Sequence, residues 1–370
     1  MKIAFYAPMK APSHRVPSGD RTVAQLLMTA LRHAGHEVTL ASTLRSWDRG
    51  DAARQKRLAD KGSAEARRLC ETWRNDRPDL WFTYHLYHKA PDHLGPHVAT
   101  ALNLPYVVAE PSISRKQRHG AWADGFARSL AALARADALL PMTGDDRSGL
   151  LDAGVPAERV FPIPPFIDTG PYRRSRAAAR RNLADRYGLD PERPVAVTVA
   201  MMREGDKMAS YQVLAEAMAG IDNDALQLLI VGDGPCCNEV EALFGERACF
   251  AGRVSPRSLP GLLAGCDLFV WPAVNEAYGM AILAAQAAGL PVIAGDTRGV
   301  PDVVENRRTG LLTPVGDAGA IIRALTDLLA DPQRLAAMGA AAADRVSRKH
   351  SLDAACAVLD QALDTARRAR

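Results

Sequence analysis

Apolar residues are distributed along this chain in two rhythms. Short unbroken runs, "KIAFYA", "HEVTLAS", "LWFTY", "PYVVAE", "ALLPM" and "RVFPIP", predict strands. Between the first two lies "RTVAQLLMTALRHAG", whose apolar positions recur at helical spacing. Runs that are apolar throughout suit a parallel sheet covered by helices on both faces. The rhythm breaks at "PIPPFIDTGPYRRSRAAARRNLADRYGLDPERP", where Pro and Gly cluster around a basic helical stretch. It then restarts with "VAVTVAM", "QLLIVGDGP", "CFAGRV", "LFVWPA" and "PVIAGD". The prediction is an α/β chain of two Rossmann-like domains whose parallel sheets face an interdomain cleft. Residues 1–168 form the first domain, 169–192 the linker, 193–345 the second domain and 346–370 a terminal helix. The charge-mixed stretch 45–77 reads as a solvated helical insertion.

A length of 370 residues agrees with two cores rather than one. The 46 basic and 42 acidic residues leave a net charge of only +4, so no nucleic-acid partner is expected. None of the six cysteines has metal-ligand spacing, nor do His85, His88 and His93 in "HLYHKAPDH"; neither a metal nor a cofactor is expected. "MKIAFYAP" reads as a strand rather than a signal peptide, and no apolar run is long enough to span a bilayer. These features predict a cytoplasmic protein, with peripheral membrane contact left open.

The stretch "NEAYGMAILAAQAAGLPVIAGD" is the most informative. It reads as loop, helix N-terminus, buried helix, turn and strand. A helix N-terminus presents backbone N–H groups and a partial positive charge, which together seat an anion. Glu276 at its mouth either favours the helix dipole or grips a hydroxylated ligand whose phosphate rests on those N–H groups.

Order and spacing carry a resemblance. "VTVAMMREGDK", "LLIVGDGP", "FAGRVSPRSLPGLLAGCDLFVWPA", "NEAYGMAILAAQAAGLPVIA" and "GVPDVVENRRTGLLTPVGD" resemble, in sequence, the nucleotide-sugar domain of family 4 glycosyltransferases. These are retaining enzymes with the GT-B fold. The N-terminal half is similar more loosely, through its first strand, the "PSGDR" loop, "GHEVTLAS" and "TGDDRSGLLDAGVPAERVFPIPPFID". The resemblance implies that Glu276, first of the family's glutamate pair, contacts the transferred sugar. Backbone groups of Tyr278, Gly279 and Met280 then hold the diphosphate. Arg203 and Lys207 fall where the family places a basic pair on the leaving group, with Lys207 the better matched because Met201 stands where the arginine usually sits. His85 matches a histidine facing the donor sugar, and Gly19 a glycine loop near the phosphates, although Asp20 replaces a glycine common there. Gly232 in "GDGP" belongs to a strand-to-helix turn at the donor site. Arg253 and Val254 match positions that meet the base, and Glu305 an acid near the ribose. Two departures stand out: Ala284 occupies the place of the second glutamate, and "PPF" at 164–166 replaces an Asn-Gly pair before Asp168.

The expected activity is metal-independent transfer of a sugar, with retention, from a UDP- or GDP-linked donor to a hydroxyl. The acceptor, whether a glycan, a lipid-linked molecule or a small molecule, is read by variable loops such as "EPSISRKQRHGAWADG", and no oligomeric state is implied. A nucleotide-sugar epimerase of the same architecture is the first alternative. A non-catalytic sugar-nucleotide-binding partner, suggested by Ala284, is the second.

Overall fold

A computed structural model of the chain describes residues 1–16 and 18–370. Pro17, which opens the "PSGDR" loop, lies outside the described residues. Two compact units emerge, Met1–Pro164 with Leu352–Arg370, and Pro165–Ser351.

In the first unit five strands alternate with helices: β1 (Lys2–Tyr6), α1 (Gly19–His33), β2 (Glu37–Ser42), α2 (Ala52–Thr72), β3 (Leu80–Leu86), α3 (Gly95–Ala101), β4 (Tyr106–Pro111), α4 (Ala123–Arg135), β5 (Ala138–Leu140) and α5 (Gly144–Asp152). Every strand pair is parallel, and the order is β2-β1-β3-β4-β5. Ile3 pairs with Val38 on one side and Leu80 on the other, which fixes the register of β1 between β2 and β3. Phe5 and Phe82 are fully buried and stack with ring centroids 5.6 Å apart. Helix α2 is the expected insertion at 45–77; Asp51 caps it, and its Ala66 and Leu69 are buried in the core. The run "RVFPIP" forms no strand, only an isolated bridge from Val160 to Leu139. Phe161 and Ile163 N–H donate to the Leu139 and Pro141 carbonyls at 2.8 and 2.9 Å, but Pro141 has no N–H to return, so the ladder does not propagate.

The second unit runs α6 (Arg176–Tyr187), β6 (Val195–Val199), α7 (Asp206–Ala219), β7 (Gln227–Val231), α8 (Cys237–Phe244), β8 (Ala248–Gly252), α9 (Leu259–Leu263), β9 (Leu268–Trp271), α10 (Met280–Ala287), β10 (Val292–Gly295), α11 (Val300–Val303), β11 (Gly310–Thr313), α12 (Ala318–Leu329) and α13 (Pro332–Lys349). Its sheet is again parallel, ordered β11-β10-β9-β6-β7-β8. Counted from β6, that is the doubly wound order 3-2-1-4-5-6 read from the β8 edge. Strand β11 was not among the expected strands. The stretch expected as a linker contributes α6, whose Arg180 binds Asp267 at 2.8 Å and the Gly265 carbonyl at 2.9 Å. The terminal helix α14 (Leu352–Arg368) returns to the first unit, and Arg370 beyond it pairs with Asp137 at 2.9 Å.

Each sheet has one switch point, where strand order reverses: between β1 and β3 in the first unit, and between β6 and β9 in the second. Open α/β sheets bind ligands beyond the carboxyl ends of strands at that place.

Candidate active site

At the second unit's switch point the chain leaves β6 through residues 200–205 and enters α7, while β9 ends in the loop 272–279 that leads to α10. Lys207, in the first turn of α7, donates from Nζ to Glu276 Oε2. Trp271 Nε1 donates to the same oxygen at 3.2 Å, and the Lys207 ammonium stands 5.2 Å from the Trp271 ring centroid. Both charged side chains are about one-fifth exposed. A cation in the first turn of a helix opposes the helix dipole, a cost that a nearby anion offsets. In the free protein that anion is Glu276.

The surrounding loop is held firmly. Ser210 Oγ accepts from Val274 N–H at 3.0 Å, Asn275 donates to Asp206 at 2.9 Å, and Arg298 donates to Asn275 at 3.3 Å. Tyr211 packs edge-on against Trp271 and donates to the Ala200 carbonyl at 2.9 Å. Ala273 and Asn275 both adopt left-handed backbone, with φ of 56° and 55°. Such conformations cost about 1–3 kcal/mol each and persist where a site requires them.

Helix α10 begins at Gly279, which has φ of 78°, and no side chain caps it. A Cβ on Gly279 would stand 2.7 Å from Ile282 Cδ1, so glycine is required by both conformation and space. Tyr278 is 7% exposed, and Met280 is half-buried at the start of the helix. Ala284, on the same helix, is 3% exposed and offers no polar atom.

The other residues expected here differ in their surroundings. Arg203 is exposed and has no side-chain partner among the described residues, and Arg253 is also exposed. Val254 lines a groove of about 570 Å³ between α6 and α9 with Arg174, Arg186 and Arg257. Gly232 is explained by packing, since a Cβ there would lie 1.9 Å from the Ala200 carbonyl oxygen. Glu305 is not brought to Glu276. It pairs with Arg308 at 3.1 Å and Arg345 at 3.2 Å, and the Arg308 bond holds its carboxyl below the usual range. Its turn ends at Thr309, whose carbonyl accepts from Val292 N–H at the start of β10. Glu305 thus lies at the amino-terminal edge of the sheet, opposite the strand ends that carry the site.

At the first unit's switch point Gly19 opens α1, and a Cβ on it would meet nothing within 4 Å among the described residues. Beside it Asp20 Oδ1 lies 3.0 Å from His85 Nδ1 at the end of β3. His85 and Glu110, the latter near the end of β4, have φ of 61° and 50°. Burial opposes charge on His85, but Glu110, Asp20 and Asp146 outweigh it and lift the imidazole to about 9. Burial also pushes the Glu110 carboxyl up. Asp20 and Glu110 were absent from the sequence-based site. Their signal was position alone, a carboxylate in a glycine-loop motif and another at the end of "PYVVAE".

No three His, Cys, Asp or Glu side chains among the described residues converge to hold a metal ion, and no helix among them is long and apolar enough to cross a membrane.

Comparison with known proteins bears on this arrangement. Residues 193–331 match the family model described as glycosyl transferases group 1. A GDP-mannose-dependent alpha-(1-6)-phosphatidylinositol monomannoside mannosyltransferase of Mycobacterium tuberculosis is 33% identical over 229 residues, covering 58% of each chain. The alpha-D-kanosaminyltransferase of Streptomyces kanamyceticus is 30% identical over 231 residues, covering 60% of this chain and 59% of that one. The chain thus matches less than two-thirds of the length of these relatives. Among solved structures, Anabaena Alr3699/HepE in complex with UDP superposes with a TM-score of 0.78 at 17% identity, covering 99% of this chain and 100% of that one. The sucrose-phosphate synthase of Thermosynechococcus elongatus does so with a TM-score of 0.78 at 21% identity, covering 100% of both chains.

Proposed function

Because residues 193–331 belong to the group 1 glycosyltransferase family and the chain has the GT-B fold, we propose that it is a hexosyltransferase using a nucleotide-diphosphate-sugar donor. UDP- and GDP-linked sugars are the donor candidates, and the sugar passes to an acceptor hydroxyl with retention. The observation that carries this reading is the Lys207–Glu276–Trp271 constellation at the switch point of the second unit.

As the glycosidic bond breaks, its electron pair stays on the diphosphate oxygen. The Lys207 ammonium and the N-terminal N–H groups of α10 are the groups that stabilise this charge. Binding the diphosphate draws Lys207 from Glu276, so the two residues exchange partners. Glu276, still held by Trp271, then accepts hydrogen bonds from hydroxyls of the sugar. That interaction strengthens as positive charge develops at the departing sugar carbon. His85 serves as a donor to a substrate oxygen, and Gly19 leaves room for substrate at the start of α1. Ala284 has no hydrogen bond to give the ribose, so other groups hold it. Acceptors in the relatives include a phosphatidylinositol mannoside, as that enzyme's name states. A lipid-linked or soluble glycan is the acceptor class proposed for this chain, with peripheral membrane contact where the acceptor is a lipid.

A panel of UDP- and GDP-sugars, offered with and without hydroxyl acceptors, tests the reading. Acceptor-dependent release of one nucleoside diphosphate is expected. Isomerised donor without acceptor, or no turnover with any pair despite tight donor binding, contradicts it.

A further inference from the structure

The charged cluster at the first unit's switch point goes further than the family match, which covers only residues 193–331. Three elements converge there: α1 brings Asp20, β3 brings His85 and β4 brings Glu110. The His85 side chain is 16% exposed and that of Asp20 29%. The Tyr87 ring lies 4.9 Å from the imidazole, centroid to centroid, and the Tyr84 ring 5.8 Å. His85 and Glu110 both sit in left-handed backbone, so each side chain is aimed by a conformation its residue type seldom adopts.

We propose that Asp20 is the positioning residue of His85: it accepts from Nδ1–H, orients the ring, and so aims Nε2 at a substrate oxygen. His85 then works as a hydrogen-bond donor and electrostatic group rather than as a base. The assignment rests on the glycosyl-transfer reading for its consequence and on geometry for its cause. That bond places a proton on Nδ1, and Nε2 carries a second proton in the imidazolium, the form that the carboxylates gathered around the ring favour. The groups that act on His85 agree in sign. Glu110, Asp20 and Asp146 favour its charge against burial, and Lys10 acts on Asp20. Tyr87 stays a neutral phenol, pushed by burial up to about 12.

A simpler role exists for Asp20. It lies in the first turn of α1, where a carboxylate favours the helix dipole. That role affects α1 stability and leaves His85 alone, so the two are separable. The experiment is a histidine-detected NMR titration of the full chain, together with transfer kinetics, for the parent, Asp20→Asn and Asp20→Glu. Nδ1 and Nε2 of His85 should both carry protons at neutral pH in the parent. Asp20→Asn should lower the His85 midpoint by about one pH unit or more. It should also reduce kcat by about tenfold with donor KM nearly unchanged and the alkaline limb of the rate profile moved to lower pH. Asp20→Glu should restore part of both. Unchanged His85 titration and rate profile, with only a lower melting temperature, overturns the assignment. The NMR readout needs no turnover, so a chain that transfers no sugar fails the functional reading while leaving the Asp20–His85 pairing independently testable.

Discussion

Gly19 and Gly232 show how packing separates two glycines that a motif treats alike. Gly232 has the Ala200 carbonyl where its Cβ would be, at 1.9 Å, so the fold itself excludes a side chain. Gly19 has open space there and ordinary helical placement at the start of α1. Gly19 is exposed at the first position of α1, and the reading that substrate approaches there makes a prediction. Gly19→Ala should leave the melting temperature unchanged or raise it slightly while lowering kcat/KM by about tenfold. Gly232→Ala should lose stability by more than about 2 kcal/mol, measured by denaturant unfolding. If both variants lose stability alike, Gly19 has a structural reason the geometry does not reveal.

Among the elements, the end of α13 carries the clearest pH dependence. His350 is 1% exposed and its Nδ1 lies 2.7 Å from the Pro165 carbonyl, while Nε2 has no partner among the described residues. The carbonyl can only accept, so Nδ1 bears the proton and Nε2 is a buried lone pair. Burial, joined by Arg345 and Lys349, outweighs the Pro165 hydrogen bond and pushes the imidazole down to about 4. A histidine whose folded pKa lies below its unfolded value of 6.5 stabilises the protein fully above 6.5, and that contribution drains away as pH falls towards 4. At 1.36 kcal/mol per pH unit the loss is about 3 kcal/mol. His350→Asn keeps a donor for Pro165 but cannot titrate. Its denaturant midpoint should fall less than the parent's between about pH 7 and pH 4. Equal acid sensitivity would remove His350 as the cause.

The strands and helices were legible wherever apolar runs met turn residues, as in "KIAFYA" and "PVIAGD". The short edge strand β11, only "GLLT", lacks that contrast, and "RVFPIP" has it but lies against Pro141, which has no N–H to return. Lys207 and Glu276 were both legible, but their hydrogen bond joins residues 69 positions apart and no local pattern encodes it. Glu305 shows the converse. A local motif named the residue, and the turn that leads into β11 carries it to the other edge of the sheet, where it pairs with Arg308 and Arg345.

At the scale of the molecule, two units of parallel sheet each concentrate strain and charge at one switch point. Of the seven non-glycine residues with positive φ among the described residues, His85, Glu110, Ala273 and Asn275 lie at or just beyond the carboxyl ends of β3, β4 and β9. Charge is spent locally, since the chain as a whole carries only +4. The second unit's site supplies a cation and an uncapped helix N-terminus for an anion, and the first supplies an ion-paired histidine.

The central claim is that Lys207 and the start of α10 form a nucleoside diphosphate site, and calorimetric titration of UDP and GDP into the parent and Lys207→Ala tests it without knowledge of the acceptor. One of the two nucleotides should bind the parent, and Lys207→Ala should weaken that binding by about ten- to a hundredfold, roughly 1.4–2.8 kcal/mol, while remaining folded. Equal affinity in the two proteins, or no binding of either nucleotide to the folded parent, would contradict the account.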